Sequence, residues 1–128
     1  VNSSYYPDGQ PVMFDLQIEA EILGCELLWS NDAPPTVRSH PLEATEDIPT
    51  HLPEPEEGRL PVALHAVREL KAKVGDTTAL YGLFCGPFTL ASHLRGTDIF
   101  MDMFDNPDYV HRLLAYANAV GKRMADLY

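Results

Sequence analysis

The sequence predicts an α/β protein, and three observations support this fold class. Segments rich in β-favouring residues alternate with segments whose apolar residues recur at helical spacing, which is typical of βα units around a parallel sheet. Clusters of glycine and proline separate the segments. The chain has 128 residues, a length at which one domain is the usual expectation. We therefore expect residues 1–128 to form a single unit.

The first half of the chain predicts a strand, a helix and a hairpin. Ile18, Ile22 and Leu23 recur at helical spacing, and Gly24 is suited to the position just after a helix. A turn signal with two prolines follows at residues 31–35. The predicted elements are a buried strand at residues 11–15, a helix at residues 16–23, and hairpin strands at residues 25–29 and 36–40.

The second half predicts one more strand among several helices. Residues 42–58 are rich in proline and acidic residues, so we expect an irregular connection across the surface. Residues 60–74 carry one apolar stripe and predict an amphipathic helix. The remaining predicted elements are a strand at residues 78–84, a helix at residues 88–94, a short helix from residue 97 or 98 to 104, and a long helix that begins with Pro107.

Composition limits the class of partner. The formal net charge of −10 repels phosphate backbones and argues against nucleic-acid binding. No segment approaches the ~20 apolar residues of a membrane span, and residues 1–6 lack the pattern of a signal peptide. The two cysteines, Cys25 and Cys85, belong to no zinc motif. We expect a reduced, cytoplasmic protein that is not bound to a membrane and holds no metal with its own residues.

Residues 81–96 are the segment most typical of a functional site. They predict a buried strand that ends at Gly86 and Pro87 and turns directly into a helix, and α/β enzymes place their chemistry at such strand ends. Glycine lets a backbone approach a ligand, and proline starts the helix. Aromatic rings nearby predict a large flat pocket, although ordinary core packing accounts for them equally well. The predicted substrate-binding residues are Phe14, Phe84, Gly86, Pro87 and Phe88.

Several motifs together resemble the uroporphyrinogen decarboxylase family, which includes corrinoid-dependent methyltransferases. From about residue 8 onward, they follow the order and spacing of that family. They are Phe14-Asp15 with Glu19-Ala20-Glu21 and Leu23-Gly24-Cys25-Glu26, Pro34-Pro35-Thr36-Val37 with His40-Pro41, Gly58-Arg59-Leu60-Pro61-Val62 with residues 71–75, Gly86-Pro87-Phe88-Thr89-Leu90 with Gly96, and Asn106-Pro107 with Val110 and Leu113-Leu114.

The resemblance implies a (β/α)8 barrel. A complete barrel takes roughly 250 residues, so the expected fold is a partial TIM barrel, made of interior βα units with a β-hairpin insertion. The family's Arg-bearing, glycine-rich N-terminal segment is missing from this chain. Its C-terminal half, which in the methyltransferases carries the His and Cys zinc ligands, is missing as well.

Two residues take catalytic roles under this resemblance. Asp15 matches the essential Asp of the decarboxylase, which contacts the pyrrole NH groups of the substrate, and a carboxylate suits that role because it accepts several NH hydrogen bonds. An N-cap of the following helix is the plainer alternative. His93 stands where the decarboxylase has a functional Tyr, and this departure weighs against uroporphyrinogen as substrate. A packed or solvent-facing His is the alternative there.

Other titratable residues receive plainer expectations. Glu19 and Glu21 are expected on a solvated helix face, although a position at the barrel mouth is open to them. Cys85 is expected to be a small buried apolar residue. The scattered histidines, such as His40, are assigned no role.

Three functions remain open. The first is a cofactor-free decarboxylase of a tetrapyrrole in porphyrin biosynthesis. The second is a methyltransferase that moves a methyl group from a corrinoid to a thiol, with zinc held by residues outside this chain. The third is a non-catalytic fragment that associates with other chains, because two sheet strands cannot close a barrel and their edges invite pairing. We expect the chain alone to be inactive and to form a homo-oligomer.

Overall fold

The computed structural model describes residues 2–5 and 7–128. The expectation that residues 1–6 hold no signal peptide includes Val1 and Tyr6, which lie outside the described residues. Helices and strands alternate along the rest, so the chain is a mixed α/β structure, as predicted. The elements are α1 (Asn2–Tyr5), β1 (Gly9–Pro11), α2 (Ile18–Ile22), β2 (Leu27–Leu28), β3 (Thr36–Val37), α3 (Leu60–Val74), β4 (Ala79–Tyr81), α4 (Pro87–Arg95), a 3-10 turn (Gly96–Asp98), α5 (Ile99–Asp105) and α6 (Pro107–Leu127).

Strands β1 and β4 form a parallel pair. Gly9 lies opposite Ala79 and Pro11 lies opposite Tyr81. The N–H of Val12 donates to the carbonyl oxygen of Tyr81 at 3.1 Å, which extends the ladder by one bond. The parallel direction agrees with the βα pattern of the sequence. Both strands therefore deliver the chain that follows them to the same edge.

The predicted extent of these two strands is wrong. β1 lies before most of the predicted range 11–15, and β4 covers three residues of the predicted range 78–84. Neither strand contains a buried residue. The ladder is short because hydrogen bonds between β1 and β4 form only where the two strands lie side by side. Asp15 consequently lies in the segment after β1 and not at the end of the strand.

The hairpin forms as predicted, but its strands are shorter than the predicted ranges 25–29 and 36–40. Leu27 pairs with Val37 in an antiparallel register, and α2 ends one residue before Leu23. Gly24 follows with a φ of +99°, a backbone conformation that an L side chain rarely adopts and glycine reaches without strain. This glycine lets the chain leave the helix and enter the hairpin.

Helix α3 runs from Leu60 to Val74, the predicted range. Its first turns are buried through Leu60, Ala63 and Leu64, whereas the later members of the stripe are only partly buried. The apolar stripe therefore packs against the core at one end and is less completely covered at the other.

The hydrophobic core lies mainly between α4 and α6. Asn106 caps α6, because its Oδ1 accepts a hydrogen bond from the N–H of Tyr109 at 3.4 Å, and Pro107 occupies the first helical position. The buried face of α6 repeats at helical spacing, as predicted. It consists of Tyr109, Val110, Leu113, Ala117, Val120, Gly121 and Met124, and it packs against Leu90, Ala91 and Leu94 of α4.

None of the helices among residues 2–5 and 7–128 combines the length and the apolar character needed to cross a membrane.

Candidate functional site

The candidate site lies where the chain leaves the parallel pair. The segment after β1 carries Asp15 and leads into α2, while the segment after β4 carries Cys85 and Gly86 and leads into α4. Because the strands are parallel, both segments leave the same edge of the sheet. Loops at the carboxyl ends of parallel strands are the usual place for ligands in α/β proteins.

Both carboxylate oxygens of Asp15 have partners. Oδ1 accepts the backbone N–H of Gln17 at 2.9 Å, and Oδ2 accepts a hydrogen bond from Nη1 of Arg59. Gln17, not Asp15, is the N-cap residue of α2. The side chain of Asp15 is 10% exposed. Asp15 therefore supports the turn before the helix and is at the same time one half of a largely buried ion pair.

Arg59 connects three elements around Asp15. Besides Asp15, it donates from Nε to Glu21 of α2 at 2.6 Å, and its guanidinium lies 4.8 Å from the ring centroid of Trp29. The residue before it, Gly58, has a φ of +50°, and a Cβ there would lie 2.9 Å from Cγ1 of Ile22. A glycine at this position allows the chain to turn tightly over α2, which brings Arg59 to the carboxylates.

Glu19 is buried, and the expectation of a solvated face is wrong for it. Its residue surface is 1% exposed. Oε1 accepts the backbone N–H of Cys85 at 2.8 Å, while Oε2 is buried without a hydrogen-bond partner among the described residues. Burial raises the pKa of Glu19, its backbone hydrogen bonds lower it, and the nearby charge of Asp15 raises it further. Glu21, in contrast, is only partly buried.

The thiol of Cys85 is held in its neutral form. Burial, with the charges of Glu19 and Asp15 added to it, raises the pKa of Cys85 to about 12. Its Sγ donates to the carbonyl oxygen of Leu16 and lies 4.0 Å from Nδ1 of His93. A thiol in this environment is not an activated nucleophile. The expectation that Cys85 is a small buried residue is confirmed.

His93 lies on the side of α4 that faces the core. Burial lowers the pKa of His93, and the neighbouring His40 lowers it further. The backbone carbonyl oxygen of His93 lies 2.7 Å from Nδ1 of His40 and accepts a hydrogen bond from Sγ of Cys25 at 3.4 Å. His40, which the sequence left without a role, thus supports the backbone at His93.

A mostly apolar groove of about 290 Å³ lies beside this cluster, between the end of β4 and α6. Its lining residues are Phe84, Cys85, Gly86, Pro87, Asn118, Gly121, Lys122 and Ala125. A Cβ built on Gly86 meets no atom within 4 Å, so the backbone there faces open space. Three of the five predicted binding residues, Phe84, Gly86 and Pro87, therefore lie in one groove.

The other two predicted binding residues lie elsewhere. Phe88 lines a second groove of about 170 Å³ with Met103 and Leu114, and its ring centroid lies 6.0 Å from that of Phe100. The residue surface of Phe14 is 74% exposed. Neither ring takes part in the groove beside Cys85.

The sequence alone predicts no role for Arg59 and a solvated helix face for Glu19. Each of the two residues nevertheless stands in a noticeable sequence context. Arg59 is the only Lys or Arg between residues 39 and 67, although its partners Asp15 and Glu21 lie far from it in the chain. Glu19 precedes Ile22 and Leu23 by three and four positions, which places all three on one face of a helix. An acidic residue on an apolar face is the pattern of a buried carboxyl group.

Across residues 2–5 and 7–128, no group of three or more His, Cys, Asp or Glu side chains is arranged to hold a metal ion. The described residues do not form a zinc site, so no chemical step through zinc is derived from them.

The chain matches a known protein family over nearly its whole length. Residues 3–126 match the family of uroporphyrinogen decarboxylase (URO-D). A methylcobamide:CoM methyltransferase of Methanosarcina mazei is 33% identical over 125 residues, which cover 90% of this chain and 37% of that protein. A methylated-thiol–coenzyme M methyltransferase of the same organism is 35% identical over 85 residues, which cover 66% of this chain and 23% of that protein.

A solved structure supports the same relationship. A methyltransferase from Methanosarcina mazei superimposes with a TM-score of 0.79 at 25% sequence identity, over 88% of this chain and 34% of that chain. The chain thus spans about a quarter to somewhat more than a third of the length of these relatives. With a family match that covers almost every residue, the chain belongs to the uroporphyrinogen decarboxylase family.

Proposed function

We propose that this chain is a section of a methyltransferase that transfers a methyl group from a methylated corrinoid to a thiol. The observation that carries the proposal is the similarity to methylcobamide:CoM methyltransferases, at 33% identity over 90% of the chain. Such a reaction replaces the S–H bond of the thiol by an S–C bond and releases a proton, while the electron pair of the cobalt–carbon bond stays with cobalt.

The names of these relatives correct our first prediction. That prediction, cofactor-free decarboxylation of a tetrapyrrole, is supported by the family match but not specifically by these relatives. The difference at His93, where the decarboxylase has Tyr, is in keeping with this correction. Porphyrin biosynthesis is therefore the weaker interpretation, and methyl transfer is the better one.

The proposal includes the larger fold. The described residues contain one parallel pair of strands, and the relatives are more than twice as long as this chain. We propose that β1, β4 and the helices that follow them form interior βα units of a (β/α)8 barrel, with β2 and β3 as an inserted hairpin. The site edge described above would then belong to the mouth of that barrel.

In this arrangement, Asp15 would orient a polar part of the substrate. Each of its oxygens already accepts one hydrogen bond, and a carboxylate oxygen has a second acceptor position. His93, kept neutral by burial, would support the thiol of Cys85 and not transfer a proton itself. Phe84, Gly86 and Pro87 would form one wall for the corrinoid, because a groove of about 290 Å³ is too small for a whole macrocycle.

Any zinc that this reaction uses would be held outside this chain, since the described residues do not fit it. The residues of this chain would bind and orient the two substrates and exclude water from them.

The experiment is a methyl-transfer assay on the full-length protein that contains this chain. Methylcobalamin and coenzyme M are the probe substrates, and the loss of the methylcobalamin absorbance band is followed with time. We expect turnover in the wild type and a loss of at least 100-fold in kcat/KM for Asp15→Asn. Asp126→Asn is the matched control, because Asp126 is exposed on α6. Wild-type rates in Asp15→Asn would remove Asp15 from the site, and no methyl transfer by the wild type would contradict the proposed function.

A further inference from the structure

The side chain of Glu19 makes a contact that methyl transfer as outlined above does not use. It crosses from α2 to the segment after β4 and accepts the backbone N–H of Cys85 at 2.8 Å. These two residues are 66 positions apart, so the hydrogen bond joins two separate loops of the candidate site. Asp15 belongs to the first loop, and the groove residues Phe84, Gly86 and Pro87 belong to the second.

We propose that Glu19 is a positioning residue of the corrinoid-binding wall, which fixes residues 84–87 at a set place relative to Asp15. The proposal rests on the function proposed above and extends it to a residue that does not itself touch substrate. The Cys85 thiol makes a second hydrogen bond between the same two loops, to the carbonyl oxygen of Leu16, while Glu19 is the partner of the Cys85 amide.

The form of the hydrogen bond explains why a glutamate suits this task. A carbonyl-type oxygen alone is sufficient to accept the Cys85 N–H, and Oε1 provides it. The second oxygen, Oε2, is buried without a partner among the described residues. An ionised carboxylate with one unpaired oxygen is costly to bury, whereas the neutral acid is tolerated more easily.

Among the residues that the structure describes, no cation acts on Glu19. Asp15 faces it from the segment after β1, Cys85 from the segment before α4, and Tyr128 from the end of α6. His93 of α4 lies next to Cys85, and its pKa is lowered by burial. Arg59 pairs with Asp15 and Glu21, and no contact joins it to Glu19 among the described residues. Ionisation of Glu19 would therefore place two carboxylates near each other, so the hydrogen bond to Cys85 is the main contact that stabilises this side chain.

Two variants separate the hydrogen bond from the charge. Glu19→Gln keeps an oxygen that accepts the Cys85 N–H and cannot ionise, while Glu19→Leu removes the acceptor. Glu26→Gln is the matched control, because Glu26 lies exposed in the segment between α2 and β2 and does not line the groove. The full-length protein is used, with aquocobalamin as the binding probe, and hydrogen exchange of the Cys85 amide is measured in parallel.

We expect Glu19→Leu to bind aquocobalamin at least tenfold more weakly than the wild type and to exchange the Cys85 amide at least tenfold faster. Glu19→Gln should stay within about threefold of the wild type in both.

Each other outcome has a definite meaning. A folded Glu19→Leu that binds aquocobalamin as tightly as the wild type overturns the proposal, and so does unchanged exchange at Cys85. If Glu19→Leu does not fold, a loss of more than tenfold in aquocobalamin binding by Glu19→Gln, which keeps the acceptor for the Cys85 N–H, overturns it. If the wild type binds no aquocobalamin, the proposed function fails, and the Cys85 exchange rates still decide whether Glu19 holds the groove.

Discussion

The replacement of Arg59 by methionine tests the central contact of the candidate site. Methionine keeps much of the aliphatic length but removes the guanidinium. Three interactions are then lost at once: the ion pair with Asp15, the ion pair with Glu21 and the contact with the face of Trp29. We therefore expect a loss of stability, and the exposure of each partner sets its range.

The Arg59–Asp15 ion pair is neither fully exposed nor fully buried, so its contribution to stability lies between the values for these two kinds of ion pair. The two side chains are 24% and 10% exposed. An exposed ion pair contributes about 0.2–1 kcal/mol, and removal of one partner from a buried pair costs about 3–5 kcal/mol. Asp15 would keep the hydrogen bond from Gln17, so we place this loss at about 2 kcal/mol, near the range for hydrogen bonds to charged groups. The exposed Trp29 contact adds about 0.5 kcal/mol.

The assay is urea unfolding of the chain at fixed protein concentration, with the free energy of unfolding extrapolated to water. We expect Arg59→Met to lose about 2–3 kcal/mol and Arg59→Lys to lose roughly half as much, because lysine cannot bridge both carboxylates with a planar fork. Arg68→Met, an exposed change on α3, the helix that Arg59 precedes, should stay within about 0.5 kcal/mol.

A double-mutant cycle with Asp15→Asn isolates the pair. We expect a coupling energy of about 1–2 kcal/mol, which is normal for residues in direct contact. A loss below about 0.5 kcal/mol for Arg59→Met, or additive effects in the cycle, would refute the idea that Arg59 holds Asp15 in place.

Three further predictions concern other parts of the chain. Because the pKa of Glu19 is raised above its ordinary value of 4.5 in the fold, the folded chain holds this proton more tightly than the unfolded chain. The stability that this proton provides is complete below about pH 4.5 and is lost as the pH rises through the folded pKa. In urea unfolding, the free energy of unfolding of Glu19→Gln should therefore fall less with rising pH than that of the wild type. An equal fall in both proteins would count against a buried Glu19. The thiols of Cys25 and Cys85, both with a pKa of about 12, should react with a thiol reagent at pH 7.5 at least 100-fold faster in denaturant than in the fold, whereas fast reaction in the fold would contradict their burial. Finally, light scattering should show the chain alone as a dimer or larger assembly, since β1 and β4 leave sheet edges open and Phe104 is 83% exposed; a stable monomer would refute this.

The sequence predicted the helices far better than the strands. The bounds of α3 match residue by residue, because its apolar residues repeat over four turns and Gly75 follows its last residue. Helix α6 begins at Pro107, as its Asn-Pro start indicates. A strand of three residues offers too few positions for alternation to show, so β1 and β4 were placed too broadly. Each strand also ends where its partner ends, so neither segment alone reveals the length of the ladder.

The site was predicted in outline and not in its contacts. The turn at Gly86 and Pro87 and the segment with Asp15 do lie at the same edge, which the parallel βα pattern implied. The contact between Glu19 and Cys85 joins residues far apart in the chain, and no local pattern encodes such a distance. The placement of Phe88 in a separate groove likewise depends on how α5 folds back over α4, which spacing alone does not determine.

The central claim is methyl transfer by a family member whose site edge this chain provides. The most direct measurement offers the full-length protein two substrate sets in parallel: methylcobalamin with coenzyme M, and uroporphyrinogen. The account predicts loss of methylcobalamin together with formation of the methylated thiol, and no release of carbon dioxide from uroporphyrinogen. Decarboxylation of uroporphyrinogen without any methyl transfer would contradict it.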